Sequence, residues 1–261
     1  DNRAGDIGAG PEDALAATVG GGRLNWATGR ESVISGGWYN RAKGSWSAIV
    51  GGNINDASGV YSAVGGGSGN SASGLGGVVA GGRQNTAEGW DSSVGGGSEN
   101  SAAGTGSRIC GGAQNLAQGE GSAVGGGLAN MTVGGFSSIA GGEGNTGSGG
   151  WSAIAGGRLN TVAATSGAIG GGDSNHSNGH ASVVAGGQGN IASGPHSAVA
   201  GGFQNVASGA YSLAAGHRAK SHSSVMPQYP HDGAFVWADV SPFDFFSTSS
   251  NQFAARVTGG V

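Results

Sequence analysis

The sequence contains few of the residues that crosslink, charge or stiffen most proteins of its size. Of its 261 residues one is cysteine, five are proline and 10% are charged. The single cysteine, Cys110, excludes an internal disulfide framework and leaves the redox compartment open. The scarcity of proline, together with the absence of glycine at every third position, excludes a collagen helix.

Charged and apolar residues are also too dispersed to indicate nucleic-acid or membrane partners. The net charge is −4 with a pI near 5.8, and lysine and arginine are scattered, so no basic surface for nucleic acid is expected. Apolar runs fall short of the roughly 18 residues that a membrane helix needs, so we expect no direct membrane insertion. Residues 1–5 do not resemble a signal peptide, which indicates a mature or excised chain.

Glycine is abundant instead, with 61 residues arranged in a repeat of 15 residues. We number the places of each unit from its first residue, an asparagine. Thirteen units follow without insertion or deletion, beginning at Asn25, Asn40, Asn55, Asn70, Asn85, Asn100, Asn115, Asn130, Asn145, Asn160, Asn175, Asn190 and Asn205. The consensus has Ala at the third place, Gly at the fifth, Ser at the eighth, Val or Ile at the tenth, and Gly at the twelfth and thirteenth. This fixed period predicts a solenoid of stacked coils and argues against a disordered linker, which keeps no phase.

Alternation within the unit predicts two short β-strands in each coil. The first, third and fifth places are kept while their neighbours vary, and the eighth, tenth and twelfth behave in the same way. Such a short coil has a narrow interior, which requires small inward side chains. We expect glycine to provide positive φ or close backbone approach at the turns, and Asn and Ser to face the turns and satisfy unpaired backbone groups. At about 4.8 Å per coil, the units predict a rod of roughly 60 Å.

The outward places predict one polar face and one weakly apolar face. The second and fourth places carry many charged and polar residues, whereas the ninth and eleventh are nearly all small. Arg108 and Cys110 interrupt the small face, which we interpret as a local polar layer, with a functional thiol as the alternative. Because a single coil buries little apolar area, we expect this face to join copies of the chain. The predicted interface residues are Ala48, Ala63, Val78, Ala123, Ala153, Ala168, Val183 and Ala198.

The alternation in Ser62-Ala63-Val64-Gly65-Gly66-Gly67 and Asn70-Ser71-Ala72-Ser73-Gly74 resembles the YadA-like head repeat of trimeric autotransporter adhesins. The resemblance covers residues 10 to 216, although the unit is slightly longer than the commonest family pattern. It implies an all-β, left-handed parallel β-roll that assembles side by side as a homotrimer. Similar repeats occur in phage tail fibres and bacterial surface fibres, so an extracellular, cell-surface or virion location is implied.

Three segments are expected from these patterns. Residues 1–9 form an N-terminal cap or linker, residues 10–216 form the roll, and residues 217–261 form a C-terminal β segment. Repeat phase is lost after Gly216, and Lys220 stands where the next Asn is due. The strand-like stretches at 235–239 and 251–261 resemble the β segment that follows such heads. This likeness implies a trimer clamp or neck leading to a stalk that is missing from the chain.

Aromatic residues collect at the two turns of the coil, where rings provide shallow contact sites for carbohydrate or protein. The candidate binding residues are Trp38, Tyr39, Trp46, Tyr61, Trp90, Phe136 and Trp151. The pairs Trp46 with Tyr61 and Phe136 with Trp151 are the best candidates, because each pair shares one edge in successive coils. The alternative is that these rings cover glycine-rich turns or pack against a neighbouring chain.

The sequence does not indicate an enzyme or a metal protein. It has no nucleophile elbow and no phosphate loop in a strand-to-helix context. A glycan-cleaving activity is a remote alternative that depends on the only acidic cluster beside aromatic residues, formed by Asp232, Asp239 and Asp244. Adjacent coils could bring three histidines together: His176, His180 and His196. No acidic or Cys residue completes a metal-binding set with them, so we expect no metal or other cofactor.

We therefore expect a non-catalytic trimeric fibre head that adheres to a cell-surface glycan or protein receptor. The turn aromatics, or a tip domain outside this chain, would make the contact. Many weak sites on three chains would gain strength through avidity. The alternative is a structural spacer of a phage tail fibre or surface fibre, with recognition carried elsewhere.

Overall fold

The computed structural model describes residues 1–5, 16–226 and 229–259, in which no helix occurs. These residues accordingly include no helix that could span a membrane. The chain divides into two compact units, Asp1–Ala129 and Asn130–Val261. The expected start of the roll at Gly10 and the final Gly260-Val261 lie outside the described residues.

The described part of the first unit contains sixteen short strands that form two parallel sheets. They are β1 Arg3–Ala4, β2 Thr18–Val19, β3 Trp26–Ala27, β4 Val33–Ile34, β5 Arg41–Ala42, β6 Ala48–Ile49, β7 Asp56–Ala57, β8 Ala63–Val64, β9 Ser71–Ala72, β10 Val78–Val79, β11 Thr86–Ala87, β12 Ser93–Val94, β13 Ser101–Ala102, β14 Arg108–Ile109, β15 Leu116–Ala117 and β16 Ala123–Val124. Odd-numbered strands form one sheet and even-numbered strands the other, each in chain order.

The second unit repeats this arrangement. Its strands are β17 Met131–Thr132, β18 Ser138–Ile139, β19 Thr146–Gly147, β20 Ala153–Ile154, β21 Thr161–Val162, β22 Ala168–Ile169, β23 His176–Ser177, β24 Val183–Val184, β25 Ile191–Ala192, β26 Ala198–Phe203, β27 Val206–Ala207, β28 Leu213–His217, β29 Ala219–Lys220, β30 Phe235–Ala238, β31 Phe245–Phe246 and β32 Phe253–Arg256. Odd and even strands again form separate parallel sheets.

Strand register reproduces the sequence period. Arg41 pairs with Asp56 in one sheet and Ala63 with Val78 in the other, each 15 residues apart. Isolated parallel bridges at the fourteenth place, such as Arg23 with Trp38, add a third line of contact between coils of the first unit. The prediction of an all-β parallel solenoid built from 15-residue coils is confirmed.

The interior of each coil is filled by the small residues that its width requires. Third-place Ala and tenth-place Val or Ile, such as Ala57 and Val64, are at most 2% exposed. Identical places stack on one another because adjacent coils are in register, so each unit has a continuous apolar core.

The first-place asparagines lie inside the coil rather than facing outward at the turn, and they form a ladder of hydrogen bonds. Asn55 Nδ2 donates to Asn40 Oδ1 (3.1 Å), Gly51 O (3.0 Å) and Gly67 O (3.1 Å). Its side-chain oxygen accepts from the backbone N–H of Asn70 at 3.0 Å. One amide thus satisfies turn groups from three coils, which explains why Asn occupies this place in all thirteen regular units.

The eighth-place serines are also buried. Ser137 Oγ donates to Gly134 O at 2.6 Å and Ser212 Oγ to Gly209 O at 2.7 Å, which closes the turn at the fifth place. At the remaining coils several of these hydroxyls, including those of Ser62 and Ser92, have no partner among the described residues. Small size is therefore as important as hydrogen bonding at this place.

Glycine is required for different reasons at different turns. Gly67, at the thirteenth place, has φ of 88°, whereas fifth-place Gly59 does not adopt positive φ. A Cβ at Gly59 would instead collide with the backbone of Gly74 in the next coil. Close backbone approach thus explains why the fifth place requires glycine. The thirteenth place requires glycine both for close approach and for its positive φ.

The ladders continue after repeat phase is lost at Gly216. Ala219 occupies the asparagine place, and its N–H donates to Asn205 Oδ1 at 2.9 Å. Lys220 pairs with Val206 because one residue is missing from the preceding turn. Strands β29 to β32 add two further coils to the sheets of the second unit. The change in sequence at 217 therefore marks a change in coil composition, not the end of strand pairing.

Candidate binding surfaces

The seventh place of the coil is a left-handed turn position that carries several of the predicted binding residues. Trp46 and Tyr61 occupy it in successive coils with φ of 57° and 59°. Their rings stack at 5.0 Å between centroids, with 11° between planes. Trp46 is 41% and Tyr61 58% exposed. The shared edge predicted from the sequence is therefore an exposed, two-ring surface in the first unit.

The second unit contains an equivalent pair. Phe136 and Trp151 stack with centroids 6.0 Å apart and 11° between planes, and both side chains are exposed. Their φ values of 55° and 53° also lie in the left-handed region. Tyr211 extends the same type of edge further along this unit, where it stacks on His196 at 5.3 Å.

Trp90 differs from the other candidates because it stands alone. It occupies the sixth place, is largely exposed and stacks on no aromatic ring among the described residues. The neighbouring seventh-place residues are glycine in two nearby coils, Gly76 and Gly106, each with φ of 65°. Trp90 therefore offers one ring rather than a platform.

The other turn contains an aromatic cluster that encloses a pocket of about 390 Å³ in the first unit. Its lining includes Trp38, Tyr39, Arg41, Ile54 and Asp56. The Trp38 and Tyr39 rings meet edge to face at 5.6 Å. This volume is within the range of small-molecule sites.

Four of the pocket residues, Arg41, Ile54, Asn55 and Asp56, were not predicted as binding residues from the sequence, and neither was the neighbouring Trp26. Arg41 was assigned only to the polar face, yet its guanidinium lies over the rings of Trp26 (5.0 Å) and Tyr39 (5.8 Å). The available signal was positional: Trp26, Arg41 and Asp56 hold the second place in three successive coils, which the period places side by side.

The predicted oligomer face is solvent-accessible in each unit. Ninth-place side chains are half-buried or exposed, including Ala63 and Val78 in the first unit and Ala153 and Val183 in the second. Arg108 and Cys110 are both exposed on the face of the first unit.

In the last coils of the second unit, aromatic residues replace the small residues of this face. The pairing of Leu213 with Phe235, and of Phe235 with Phe253, continues the ninth-place column. The rings of Phe235 and Phe253 stack at 5.0 Å, and both are exposed. Trp237 lies beside them and lines an apolar cleft of about 420 Å³.

The three carboxylates considered for glycan cleavage each accept a structural hydrogen bond. Asp232 accepts from the backbone N–H of Ala210 at 2.8 Å, and Asp244 pairs with Arg218 at 2.7 Å. Asp239 pairs with Arg256 at 2.8 Å, and its side chain is only 11% exposed.

Hydrogen bonding from Thr258, with contributions from Ser241 and Arg256, holds the pKa of the Asp239 carboxyl well below its usual range, although burial acts in the opposite direction. A general acid for glycoside cleavage needs a raised pKa, so the shift of Asp239 does not suit that role.

The histidines considered for metal binding are distributed over two faces. The rings of His180 and His196 meet edge to face at 5.4 Å, whereas His176 lies on strand β23. Among the described residues, no group of three or more His, Cys, Asp or Glu side chains is placed to hold a metal ion.

Comparison with known proteins assigns no family to the chain. No protein-family model matches it, and no curated protein matches it. The function proposed below therefore depends on the geometry of the turns and faces, together with the resemblance of the repeat to fibre heads.

Proposed function

We propose that the chain is the head of an extracellular, trimeric fibre that adheres to a glycan or protein receptor on a cell surface, without covalent chemistry. The observation that carries this proposal is the presence of stacked rings at a left-handed turn position. A non-glycine residue there costs about 1 kcal/mol. Gly76 and Gly106 occupy the same place with the same backbone geometry. Glu31, Asp91, Ser166 and Ala181 also adopt this backbone at the seventh place, so the turn itself does not require a ring. Trp46 and Tyr61 are distinguished instead by exposed rings that stack in successive coils.

Trimerisation through the ninth-place face supports avidity among such weak sites. In this proposal the coils are left-handed and three chains pack side by side, as in the YadA-like heads that the repeat resembles. Small residues allow close approach over most of each unit's face, and Phe235, Trp237 and Phe253 add large apolar contacts in the last coils. The C-terminal segment then acts as the trimer clamp.

A charge on this face should disrupt the trimer. We expect Ala63→Glu to yield monomer or aggregate, because its ladder neighbours are Ala48 and Val78 and the carboxylate would be buried without a partner between chains. Light scattering coupled to size-exclusion chromatography measures the mass. The control Ser101→Glu adds the same charge to the opposite sheet of the same unit and should leave the trimer intact. A folded, soluble trimer of Ala63→Glu would show that another face joins the chains.

Removal of the stacked rings should strongly weaken adhesion. We expect the variant with Trp46→Ala, Tyr61→Ala and Trp151→Ala to lose saturable binding of the labelled protein to bacterial or animal cells and to purified surface glycans. The loss should exceed about tenfold, because several rings in each chain are removed. Leu128→Ala removes an exposed apolar side chain away from these pairs and should bind normally.

The alternative, a spacer with recognition carried elsewhere in the fibre, predicts a different result. The protein would then form a stable trimer that binds no cell or glycan in the panel, and the ring variants would behave like the parent. That outcome would indicate that segments of the fibre outside this chain carry recognition.

A further inference from the structure

The pocket at Trp38 and Tyr39 contains a cation that the surrounding residues do not neutralise. Strand pairing places Arg41 beside Asp56, 15 residues on, yet no ion pair joins them among the described residues. The guanidinium instead lies against the rings of Trp26 and Tyr39, at 5.0 and 5.8 Å from their centroids. Such stacking covers the faces of the guanidinium and leaves its N–H groups, which lie in the guanidinium plane, available to a ligand.

Asp56 is already committed to another partner. Its Oδ2 accepts from Lys43 Nζ at 2.6 Å, while its Oδ1 is fully buried and has no hydrogen-bond partner among the described residues. Lys43 therefore neutralises this carboxylate, and Oδ1 is shielded from an incoming ligand. Arg41 is the charged donor that remains available in the pocket.

Two further arginines lie in coils next to the aromatic residues of this cluster, although the chain as a whole is acidic. Arg3 pairs with Trp26 through the strand ladder, and Arg23 pairs with Trp38 through an isolated bridge. Both side chains are exposed, and neither forms an ion pair with a described residue. Because the net charge is −4, this concentration of positive charge is a local feature that favours an anionic ligand.

Trp38 provides the apolar side of the site. It is 46% exposed, and the Tyr39 edge holds its ring in place. An open aromatic face beside a planar cation fits a ring that has apolar C–H groups on one side and a carboxylate at its rim.

We propose that this pocket binds an acidic saccharide, with Arg41 holding the carboxylate of the sugar and Trp38 stacking on its ring. The inference rests on the proposed adhesive function, because it names the receptor chemistry at one of its sites. The carboxylate can belong to a uronate or to a sialate.

Paired ligands that differ only at the acidic group test the proposal. The 261-residue protein is titrated by calorimetry and ligand-observed NMR with a glucuronate-containing tetrasaccharide and its carboxyl-reduced form. The same titrations use sialyllactose and lactose. We expect at least one acidic member to bind about tenfold or more tightly than its neutral partner, and its affinity to fall as NaCl is raised. The pair that discriminates identifies the source of the carboxylate.

Variants locate the contact. Arg41→Gln and Trp38→Ala should each weaken binding of the acidic ligand about tenfold or more, and Arg41→Lys should be intermediate because it keeps the charge but loses the planar fork. The matched control Arg83→Gln removes an exposed arginine that pairs with Glu99 at 3.0 Å and should bind normally. Circular dichroism establishes that each variant is folded.

Failure of this inference can be separated from failure of the proposed function. Equal affinity for acidic and neutral partners, or unchanged binding by Arg41→Gln, would overturn the acidic site. It would also be overturned if a thymidine oligonucleotide competed for the pocket and bound more tightly than the acidic saccharides. Cell binding that persists under those results would leave the adhesive function in place. Conversely, acidic-sugar binding without any cell binding would support the pocket and count against adhesion.

Discussion

Gly82→Ala should unfold much of the first unit, whereas Gly81→Ala, one residue earlier, should be neutral or slightly stabilising. Gly82 has φ of 89°, and a Cβ there would overlap the carbonyl oxygen of Gly97 and lie 2.6 Å from Asn85 Nδ2. These are backbone and buried groups that cannot move away. We expect the free energy of unfolding to fall by about 3 to 5 kcal/mol.

Gly81 provides a control with the same change in composition. A Cβ at Gly81 would have no atom within 4 Å, and its φ is not in the left-handed region. Alanine there restricts the unfolded chain and should raise stability by up to about 1 kcal/mol. Thermal and urea denaturation followed by circular dichroism compare the two variants. Equal melting of both would contradict the claim that close approach between coils determines where glycine is needed.

Asn100→Asp should be the second most damaging change, although it alters the side-chain shape very little. Asn100 Nδ2 donates to Asn85 Oδ1, Gly96 O and Gly112 O at 3.1, 3.0 and 2.9 Å. Aspartate replaces this donor with a carboxylate that would face three acceptor oxygens inside the coil. We expect a loss of about 3 to 5 kcal/mol at neutral pH.

The pH dependence of this variant distinguishes the ladder from a general loss of packing. Burial and the surrounding oxygens disfavour the charged form, so the pKa of the introduced carboxyl should be raised in the folded state. The variant should then become less stable as pH rises through the unfolded value near 4 and on toward the folded value. Gln118→Glu makes the same amide-to-acid change at an exposed fourth-place residue and should cost little. A similar, pH-independent loss in both variants would argue against the ladder.

The aromatic turns show how far the sequence could be used to predict a binding surface. The period placed Trp46 beside Tyr61, and the rings do stack. The left-handed backbone at these residues was not predictable, because glycine is the usual sign of such geometry and here aromatic residues adopt it. Only the structure therefore shows that these rings stand at a left-handed turn position, as Glu31 and Asp91 do in other coils.

The pocket at Arg41 could not be predicted from the sequence for another reason. The period places Arg41 between Trp26 and Asp56, and a sequence-based expectation would pair the opposite charges. In the folded chain Lys43 forms the ion pair with Asp56, at 2.6 Å between Nζ and Oδ2. The guanidinium of Arg41 lies against the rings of Trp26 and Tyr39 instead. The positions of neighbouring side chains in the folded structure therefore determine which cation pairs with Asp56.

Sequence alone determined the coil length, the two strands and the residues that fill the interior, because stacking repeats every place at a fixed distance and leaves room only for small side chains. Tertiary structure decided which groups turn inward and which partners they choose. Asn55 lies inside because its amide can satisfy three coils at once, and Ala219 continues the stack after the Asn is lost because the backbone ladder depends on register rather than side-chain identity.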